Sequence, residues 1–368
     1  MNSQRFQESG QKFGQKSCLW RSSIVLAAVT LTSALAAVGQ QGHNLLVLTS
    51  TNSATANAVE VFSLETGSAP SLTLSKTLPT GGKGGAAGNA GILQFADGLG
   101  AVANFGSNTV TQLVRDRNAI ALGTTIPLAS GCLSPDSVAL RHDHLFVVGA
   151  NCAESFSWPY VHSDGKIVEL PTGDTSSAQI AVGETWAAVT MKSGSVLQLP
   201  LTDEKVLSGT TTTITLPAAA NNTPLGEAFW GNTLGFTPAH SPDSFALVSD
   251  AGIVSPIVGP APAYPTNAPC WVAKGPNSVW YTSNSPGKAI SEFFTDNQGG
   301  ILYKSVALVG SPTDITVSAD KHWLAVIFTN NSEAYVEVFS IDGHGDLTPV
   351  ATSSSISVAS FNGVAISE

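Results

Sequence analysis

The chain has 368 residues, a formal net charge of −10 and only 11% charged residues. An acidic chain lacks the basic footprint that nucleic acids and anionic membranes require, so we expect neither as a partner. The 35 glycines and the scarcity of charge favour many turns and short strands over long surface helices. The length is sufficient for one large core.

The N-terminal region is typical of a secretory signal peptide. Lysines and arginines precede an apolar run from Ile24 to Val38, and Ala34-Leu35-Ala36 offers a cleavage site between small residues. An uncleaved membrane anchor is the alternative, but the run is short for a bilayer span. We therefore expect a signal peptide at 1–36, a short segment at 37–43 and a secreted protein without membrane contact.

Short apolar strands separated by tight turns follow one another along the rest of the chain. The unit from Ser311 to Val350 is the most complete, with four strand-like runs broken by Asp, Asn and Gly. Four antiparallel strands in about 40 residues correspond to one blade of a β-propeller. Turns from an inner to a second strand recur at Gly42-His43, Asp97-Gly98, His142-Asp143, Gly183-Glu184, Gly231-Asn232, Pro276-Asn277 and Ala319-Asp320.

The two ends of this repeat region complement each other. Asn44 to Thr49 begins as a second strand without an inner strand before it, whereas nothing follows the strand at Phe361 to Ser367. If the last strand completes the first blade, the ring closes and the exposed sheet edges disappear. The sequence therefore predicts an all-β fold, a seven-bladed β-propeller that forms a single domain over residues 44–368.

Two units resemble a known family. Ser318 to Val350 follows a pattern of Ser-Pro-Asp-Gly, apolar strand, Asn-rich turn, Val-x-Val-Phe and Gly-x-Leu, and Phe95 to Val114 repeats part of it. This pattern resembles the lactonase-like seven-bladed propellers, which include 6-phosphogluconolactonases, 3-carboxy-cis,cis-muconate cyclase-like proteins and YVTN-type repeat proteins. The Pro-Arg-His signature of that family is absent, and Pro312-Thr313-Asp314 stands at one such position. The resemblance thus implies the fold, with an altered catalytic signature.

The cysteines agree with export. Cys132 and Cys152 lie at equal distances from the turn at His142-Asp143. In an antiparallel hairpin this symmetry makes them cross-strand partners, which predicts a disulfide in an oxidising compartment. Two buried thiols are the alternative. Cys270 is interpreted as a packed thiol, and because the sequence has no zinc-site spacing, we expect neither a metal nor a cofactor.

Two Asn-x-Ser/Thr sequons begin at Asn221 and Asn330. They predict glycosylation in a eukaryotic host, although Pro224 weakens the first. Together with the signal peptide they indicate an extracellular glycoprotein, which we expect to be a monomer.

A propeller has two faces, and the position of a residue within its unit assigns it to one of them. The loop face carries the interblade loops and the loops between second and third strands, and it is customarily the binding face around the central channel. The turn face carries the first-to-second and third-to-fourth turns. His240 is the one histidine assigned to the loop face, and no arginine of the mature chain is assigned to it. The turn face receives His43, His142, His144, His162, His322 and His344.

Acidic residues dominate the predicted loop face. Asp314, Glu227 and Asp136 open inner strands and are expected near the channel mouth. Asp314 and Glu227 could perform acid–base chemistry with His240. The alternative, which we favour, is structural: inner-strand carboxylates accept hydrogen bonds from neighbouring blades. Further candidate binding residues on this face are Glu154, Lys83, Trp158, Trp230 and Trp271.

The glycine-rich stretch from Gly81 to Gly88 is the remaining candidate. It lacks the Gly-Lys-Ser/Thr ending and the following helix of a phosphate-binding loop. We interpret it as a flexible interblade loop.

Two functional hypotheses follow from the sequence. The first is a secreted lactonase-like propeller that binds a small molecule, glycan or protein on its channel face. The second is an active lactonase or muconate-type cycloisomerase that uses the carboxylates of the channel mouth. An acid–base cluster around one pocket would favour the enzyme.

Overall fold

The part of the chain that the structure describes folds almost entirely into β-strands. The computed structural model describes residues 45–171, 173–218, 220–240, 245–255, 268–295, 301–356 and 360–368, all within the unit Gly42–Glu368. The predicted signal peptide at 1–36 and the segment at 37–43 lie outside these residues. No helix in the described ranges is long and apolar enough to cross a membrane.

The strands are short and evenly distributed. In chain order they are β1 (Leu45–Ser50), β2 (Ala58–Glu65), β3 (Ser71–Pro79), β4 (Leu93–Ala96), β5 (Leu99–Asn104), β6 (Thr109–Asp116), β7 (Ala119–Pro127), β8 (Pro135–Arg141), β9 (His144–Gly149), β10 (Cys152–Ser157), β11 (His162–Glu169), β12 (Ser177–Val182), β13 (Trp186–Met191), β14 (Ser195–Pro200), β15 (Thr212–Thr215), β16 (Pro224–Trp230), β17 (Thr233–Pro238), β18 (Ala246–Val248), β19 (Pro269–Lys274), β20 (Val279–Asn284), β21 (Ala289–Thr295), β22 (Ile301–Ala307), β23 (Ser311–Val317), β24 (Trp323–Asn330), β25 (Glu333–Ile341), β26 (Leu347–Thr352) and β27 (Asn362–Ser367).

These strands form seven antiparallel sheets, the blades of a β-propeller. Blade 1 has the order β27-β1-β2-β3, and blades 2, 3 and 4 begin with the inner strands β4, β8 and β12. Blade 5 has three described strands, β16-β17-β18, and blades 6 and 7 begin with β19 and β23. The predicted fold class is confirmed.

Blade 1 is closed by the C-terminal strand. β27 pairs with β1 in antiparallel register, with Val47 opposite Ile366 and Leu48 opposite Ala365. Both strands are fully buried. The predicted closure of the ring is therefore confirmed, because the last strand supplies the inner strand that the first unit lacks.

Blade 7 shows why its middle strand reads as a continuous apolar run. Leu324 and Val326 pack towards the blade 6 side, whereas Ala325 and Ile327 pack towards the blade 1 side. Each face of the blade thus meets a neighbouring blade, so both faces must be apolar. Burial of each large apolar side chain contributes about 1.5–3 kcal/mol, and this packing around the ring forms the core.

Several inner strands begin with a proline and a bulge. Pro135, Pro224, Pro269 and Pro312 are the first or second residues of their strands, and the pairing register shifts directly after each. Proline cannot donate to the ladder and is tolerated at such positions. A bulge redirects the side chains that follow it. This local geometry orients the acidic residues that open the inner strands.

Cys132 and Cys152 form the predicted disulfide, with a Cα–Cα distance of 5.6 Å. They are not cross-strand partners in a hairpin, however. Cys132 precedes β8 and Cys152 begins β10, because β9 already ends at Gly149. The bond therefore ties an interblade loop to a third strand. Cys270 is a free, partly buried thiol.

Candidate functional site

The central channel is closed at the loop face by three consecutive residues, Asn89, Ala90 and Gly91, which we call the plug. Their backbone atoms are bonded to four different blades. The contacts are Trp271 Nε1 to Asn89 O at 3.0 Å, Asn362 Nδ2 to Asn89 O at 3.4 Å, Ala90 N to Ala178 O at 3.1 Å and Val138 N to Gly91 O at 2.8 Å. A segment bonded to blades 1, 3, 4 and 6 must cross the channel, so it seals this end.

Gly91, the last residue of the plug, packs closely against the channel wall. Its φ of +67° is a conformation that favours glycine, and an added Cβ would lie 2.8 Å from Ser137 Oγ. The amide nitrogens of Gln179 and Gln94 would lie 3.4 and 3.5 Å from that Cβ. The plug therefore rests directly on polar side chains of the channel wall.

The glycine-rich stretch that leads into the plug is held by several hydrogen bonds, three of them made by the side chain of Asn52. Asn52 Nδ2 donates to Ala86 O at 2.7 Å, and Asn52 Oδ1 accepts from the backbone N–H of Gly85 and Ala86. The stretch joins β3 to β4, as predicted for an interblade loop, and these bonds hold its backbone at Gly85 and Ala86. Lys83 is exposed at the loop face, where its backbone N–H donates to Ser107 Oγ at 2.8 Å.

Asp314 joins the plug to the channel wall. Its side chain is buried and accepts a hydrogen bond from the backbone N–H of Ile315 at 2.8 Å. Burial raises the pKa of Asp314 to about 7, against the opposing effect of backbone N–H groups of Ile315, Val364, Gly91 and Gly363. A carboxyl surrounded by the backbone of the plug and of blade 1 matches the structural alternative for this residue.

Asp136 and Glu154 are also held by hydrogen bonds. Ser177 Oγ donates to Asp136 Oδ2 at 2.6 Å, and burial raises the pKa of Asp136 to about 6 despite that bond and the nearby Lys192. Glu154 is buried and accepts from the backbone N–H of Ala129 at 3.0 and 3.1 Å. Both carboxyls therefore support the loops around the channel and neither is exposed at the loop face.

Glu227 differs from the other carboxyls. It is 1% exposed, and neither of its carboxyl oxygens makes a well-formed hydrogen bond with a described residue, although the backbone N–H groups of Ala181 and Thr190 lie nearby. Burial raises the pKa of Glu227 well above its ordinary value, although the backbone N–H groups of Ala181 and Thr190 oppose the shift. Burial therefore favours the protonated form of the side chain, and that form can donate a hydrogen bond.

The structure does not gather the predicted acid–base set. His240 is exposed, its Nδ1 lies 3.0 Å from Thr223 Oγ1, and it does not line the cavity that contains Asp314 and Glu227.

Two of the predicted aromatic residues lie on the other face. β10 runs from the loop face to the turn face, so Trp158, which follows it, is buried at a turn-face turn. Trp230 ends β16 and is likewise on the turn face, where it is 53% exposed. Trp271 lies at the loop-face end of its strand, but it is buried beneath the plug.

Among the described residues, one group of acidic, His or Cys side chains has metal-ligand spacing: Cys132, Cys152 and Glu154. Its two sulfur atoms are joined in the disulfide. They therefore offer no thiolate to an ion.

A cavity of about 200 Å³ lies below the plug, between the inner strands. Asp136, Ser177 and Asp314, at the loop-face ends of these strands, are buried, whereas Arg141, Lys274 and Val317, at the turn-face ends, are partly exposed. The cavity therefore opens towards the turn face. Its lining residues are Gly91, Gln94, Ala139, Leu140, Arg141, Gln179, Ile180, Ala181, Val182, Glu227, Ala228, Phe229, Val272, Ala273, Lys274, Asp314, Ile315, Thr316, Val317, Lys321 and Val364.

Three cations surround the open end of this cavity: Arg141, Lys274 and Lys321. Arg141 forms an ion pair with Glu184. Lys321 Nζ donates to the backbone carbonyl of Lys274 at 3.1 Å. Burial, and secondarily the charge of Lys321, lower the pKa of Lys274 to about 8. The mouth thus brings like charges together.

This cationic mouth was not among the predicted sites, because the customary site of a propeller is on the other face. A usable signal was present, since each of the three cations adjoins a first-to-second turn of a different blade. Residues at equivalent positions of a propeller converge on the channel. The turn positions of the repeat therefore predict that the three cations lie near one another.

No protein-family model matches this chain. No curated protein matches it either.

Solved structures do share its fold. A periplasmic gluconolactonase from Pseudomonas aeruginosa is 15% identical, with a TM-score of 0.63, over 88% of this chain and 99% of that one. A proposed 6-phosphogluconolactonase from Bacteroides fragilis is 13% identical, with a TM-score of 0.61, over 89% and 99%. Virginiamycin B lyase from Staphylococcus aureus is 16% identical, with a TM-score of 0.56, over 74% and 86%. At these identities the similarity establishes the propeller fold.

Proposed function

We propose that this protein is a secreted, lactonase-like propeller that binds a small molecule in its central channel and does not hydrolyse lactones. The observation that carries the proposal is the plug. It covers the customary site, and the carboxyls beneath it are engaged with backbone and hydroxyl groups. A substrate approaching the loop face would meet a sealed channel.

The dispersed acid–base candidates support the same conclusion. A general base must reach the proton that it abstracts, within hydrogen-bonding distance or through one water molecule. His240 is exposed and bonded to Thr223, whereas Asp314 and Glu227 are buried in the channel wall. Three residues placed in this way do not form one reacting centre.

The fold alone leaves the reaction open. The structural neighbours include a gluconolactonase and a lyase, so the same propeller accommodates different chemistries. The proposal therefore rests on the site geometry of this chain.

Lactone hydrolysis is the second candidate, and Glu227 is the observation that favours it. A buried carboxyl without a well-formed hydrogen bond to a described residue and with a raised pKa has the properties of a general acid. In that case water would attack the lactone carbonyl, Glu227 would protonate the leaving alkoxide, and the proton of the attacking water would return to Glu227.

A hydrolysis assay distinguishes the two functions. Proton release from glucono-δ-lactone is followed in a pH-stat with the wild-type chain and with Glu227→Gln. We expect both proteins to give the spontaneous rate. A wild-type acceleration that Glu227→Gln abolishes would replace the binding function with the enzymatic one.

We further propose that the chain is exported and glycosylated. The disulfide between Cys132 and Cys152 is compatible with an oxidising compartment. Asn221 is exposed and Asn330 partly exposed, so both sequons are accessible. Mass spectrometry of the protein secreted by a eukaryotic host should find an N-terminus near residue 37 and glycans on both asparagines. Retention of residues 1–36 would contradict export by cleavage.

A further inference from the structure

The central cavity is a blind pocket. The plug forms its closed end, because Gly91 is both part of the plug and part of the cavity lining. Its open end lies among Arg141, Lys274 and Lys321 on the turn face. A ligand can therefore reach the buried polar groups only by passing three cations.

The charges along this path are unbalanced. The two acidic residues of the lining, Asp314 and Glu227, have pKa values raised by burial, so the neutral form of each is favoured. Three further carboxylates act on the cations of the mouth from outside the lining: Glu184 pairs with Arg141, and Asp320 and Glu368 act on Lys321. The lining holds three cations, Arg141, Lys274 and Lys321, against two carboxyls, so its charge is positive even when both carboxyls are ionised.

The ammonium groups of Lys274 and Lys321 are held at the same mouth by hydrogen bonds to backbone carbonyls. Lys274 Nζ is fixed by the backbone carbonyls of Gly275, Asn277 and Val279 at 2.9, 2.6 and 3.1 Å. It also lies 5.1 Å from the ring centre of the exposed Trp230. A second ammonium, that of Lys321, is bonded to the carbonyl of Lys274 itself. Two like charges held at one mouth repel each other, and an anion between them relieves that repulsion.

The interior of the pocket offers hydrogen bonds as well as charge. The amide nitrogens of Gln94 and Gln179 lie near Gly91 at the closed end. Glu227, which makes no well-formed hydrogen bond with a described residue, adds a carboxyl group. These groups can donate to ligand oxygens, and such polar groups commonly fix the orientation of a ligand in its pocket.

We propose that the cavity binds a small oxyanion, a phosphate or a short carboxylate, that enters from the turn face between Arg141, Lys274 and Lys321. This inference rests on the proposed binding function and names its ligand class. A volume of about 200 Å³ is smaller than common drug-sized sites and limits the ligand to a few heavy atoms. Arginine and lysine are the residues that recognise phosphate and carboxylate groups.

Isothermal titration calorimetry tests the proposal with two probes, inorganic phosphate and succinate, and with chloride as a control. The wild-type chain should bind at least one oxyanion, with an affinity that falls as ionic strength rises. Arg141→Gln and Lys321→Gln should each weaken binding about tenfold or more. Lys321→Arg keeps the charge and should bind nearly as well as the wild-type chain.

Two further variants separate the pocket from a general charge effect. Lys76→Gln removes one exposed cation from an outer strand and should leave affinity within about twofold. Thr316→Trp places a large ring on the cavity wall and should abolish binding, whereas Thr348→Trp, on the exposed outer strand of the same blade, should not. Thermal unfolding of each variant identifies any that fails to fold. The mouth variants that do fold then decide whether the oxyanion binds in the cavity.

Tighter binding of phosphate or of succinate identifies whether the pocket prefers phosphates or carboxylates. Absence of binding by both probes, or equal binding to the wild-type and mouth variants, overturns the inference. Neither result changes the outcome of the hydrolysis assay. A failed oxyanion titration therefore refutes the ligand class, whereas lactone hydrolysis by the wild-type chain refutes the proposed function.

Discussion

The two ends of the channel are built from the same inner strands but have opposite properties. At the loop face, the strands begin with buried carboxyls beneath the plug, Asn89–Gly91. At the turn face, they end in partly exposed cations around an open cavity. The comparison shows that the customary binding face of a fold does not determine from which face a ligand can enter the channel of a given chain. Loops decide access, and one interblade loop has closed the usual side.

The largest expected effect comes from removing β27, the inner strand of blade 1 that closes the ring. Deleting residues 359–368 removes β27, whose Gly363 and Val364 lie against Asp314 at the loop-face end of their strands. Blade 1 then loses its inner strand and the ring gains two edges. We expect the melting temperature to fall by more than about 10 °C. Calorimetry should show no comparable loss when residues 1–43 are deleted, and equal melting of both truncations would contradict the closure.

A pH series tests the acidic end. Because burial raises the pKa of Asp314 to about 7, the folded state favours the neutral acid. This contribution to stability is present below the unfolded pKa of about 4 and is lost as pH rises through about 7, at up to about 1.4 kcal/mol per pH unit. Urea unfolding from pH 5 to 8 should therefore show the wild-type chain losing stability relative to Asp314→Asn. A constant difference would contradict the burial of this carboxyl.

A pair of glycines tests the fit of the plug. Gly91 and Gly88 both have positive φ, of +67° and +64°, but an added Cβ meets Ser137 at position 91 and nothing within 4 Å at position 88. Gly88→Ala should cost about 1 kcal/mol of unfolding free energy for backbone strain, and Gly91→Ala about 1–2 kcal/mol more. Chemical denaturation measures both. Equal costs would show that the plug is not closely packed.

The ring and the disulfide could be predicted from the sequence because both depend on local patterns. The alternation of apolar and polar residues marks the strands. The first unit lacks an inner strand and the last strand has no unit of its own, which predicts the pairing of β1 with β27. The hairpin around His142-Asp143 exists as β8 and β9, and Cys132 and Cys152 form their disulfide just beyond its two ends.

The plug could not be predicted in this way. Trp271 and Asn89 are 182 residues apart, and the glycine-rich stretch has no periodicity to place it. The cationic mouth needs Arg141, Lys274 and Lys321 to converge from three blades, which requires the closed ring. The predicted acid–base set depends on the same convergence, and His240 shares a face with Asp314 and Glu227 but does not line their cavity.

Thiol labelling compares the two ends most directly. In a Cys270→Ala background, Thr316→Cys places a thiol on the partly exposed cavity wall, and Ser137→Cys places one beneath the plug. Each variant is treated with an anionic sulfonate and a cationic ammonium methanethiosulfonate. We predict that Thr316→Cys reacts several-fold faster with the anionic reagent, because the mouth attracts anions, while Ser137→Cys stays protected from both. Rapid labelling of Ser137→Cys, or a preference of Thr316→Cys for the cationic reagent, would contradict a channel that is sealed at the loop face and open to anions at the turn face.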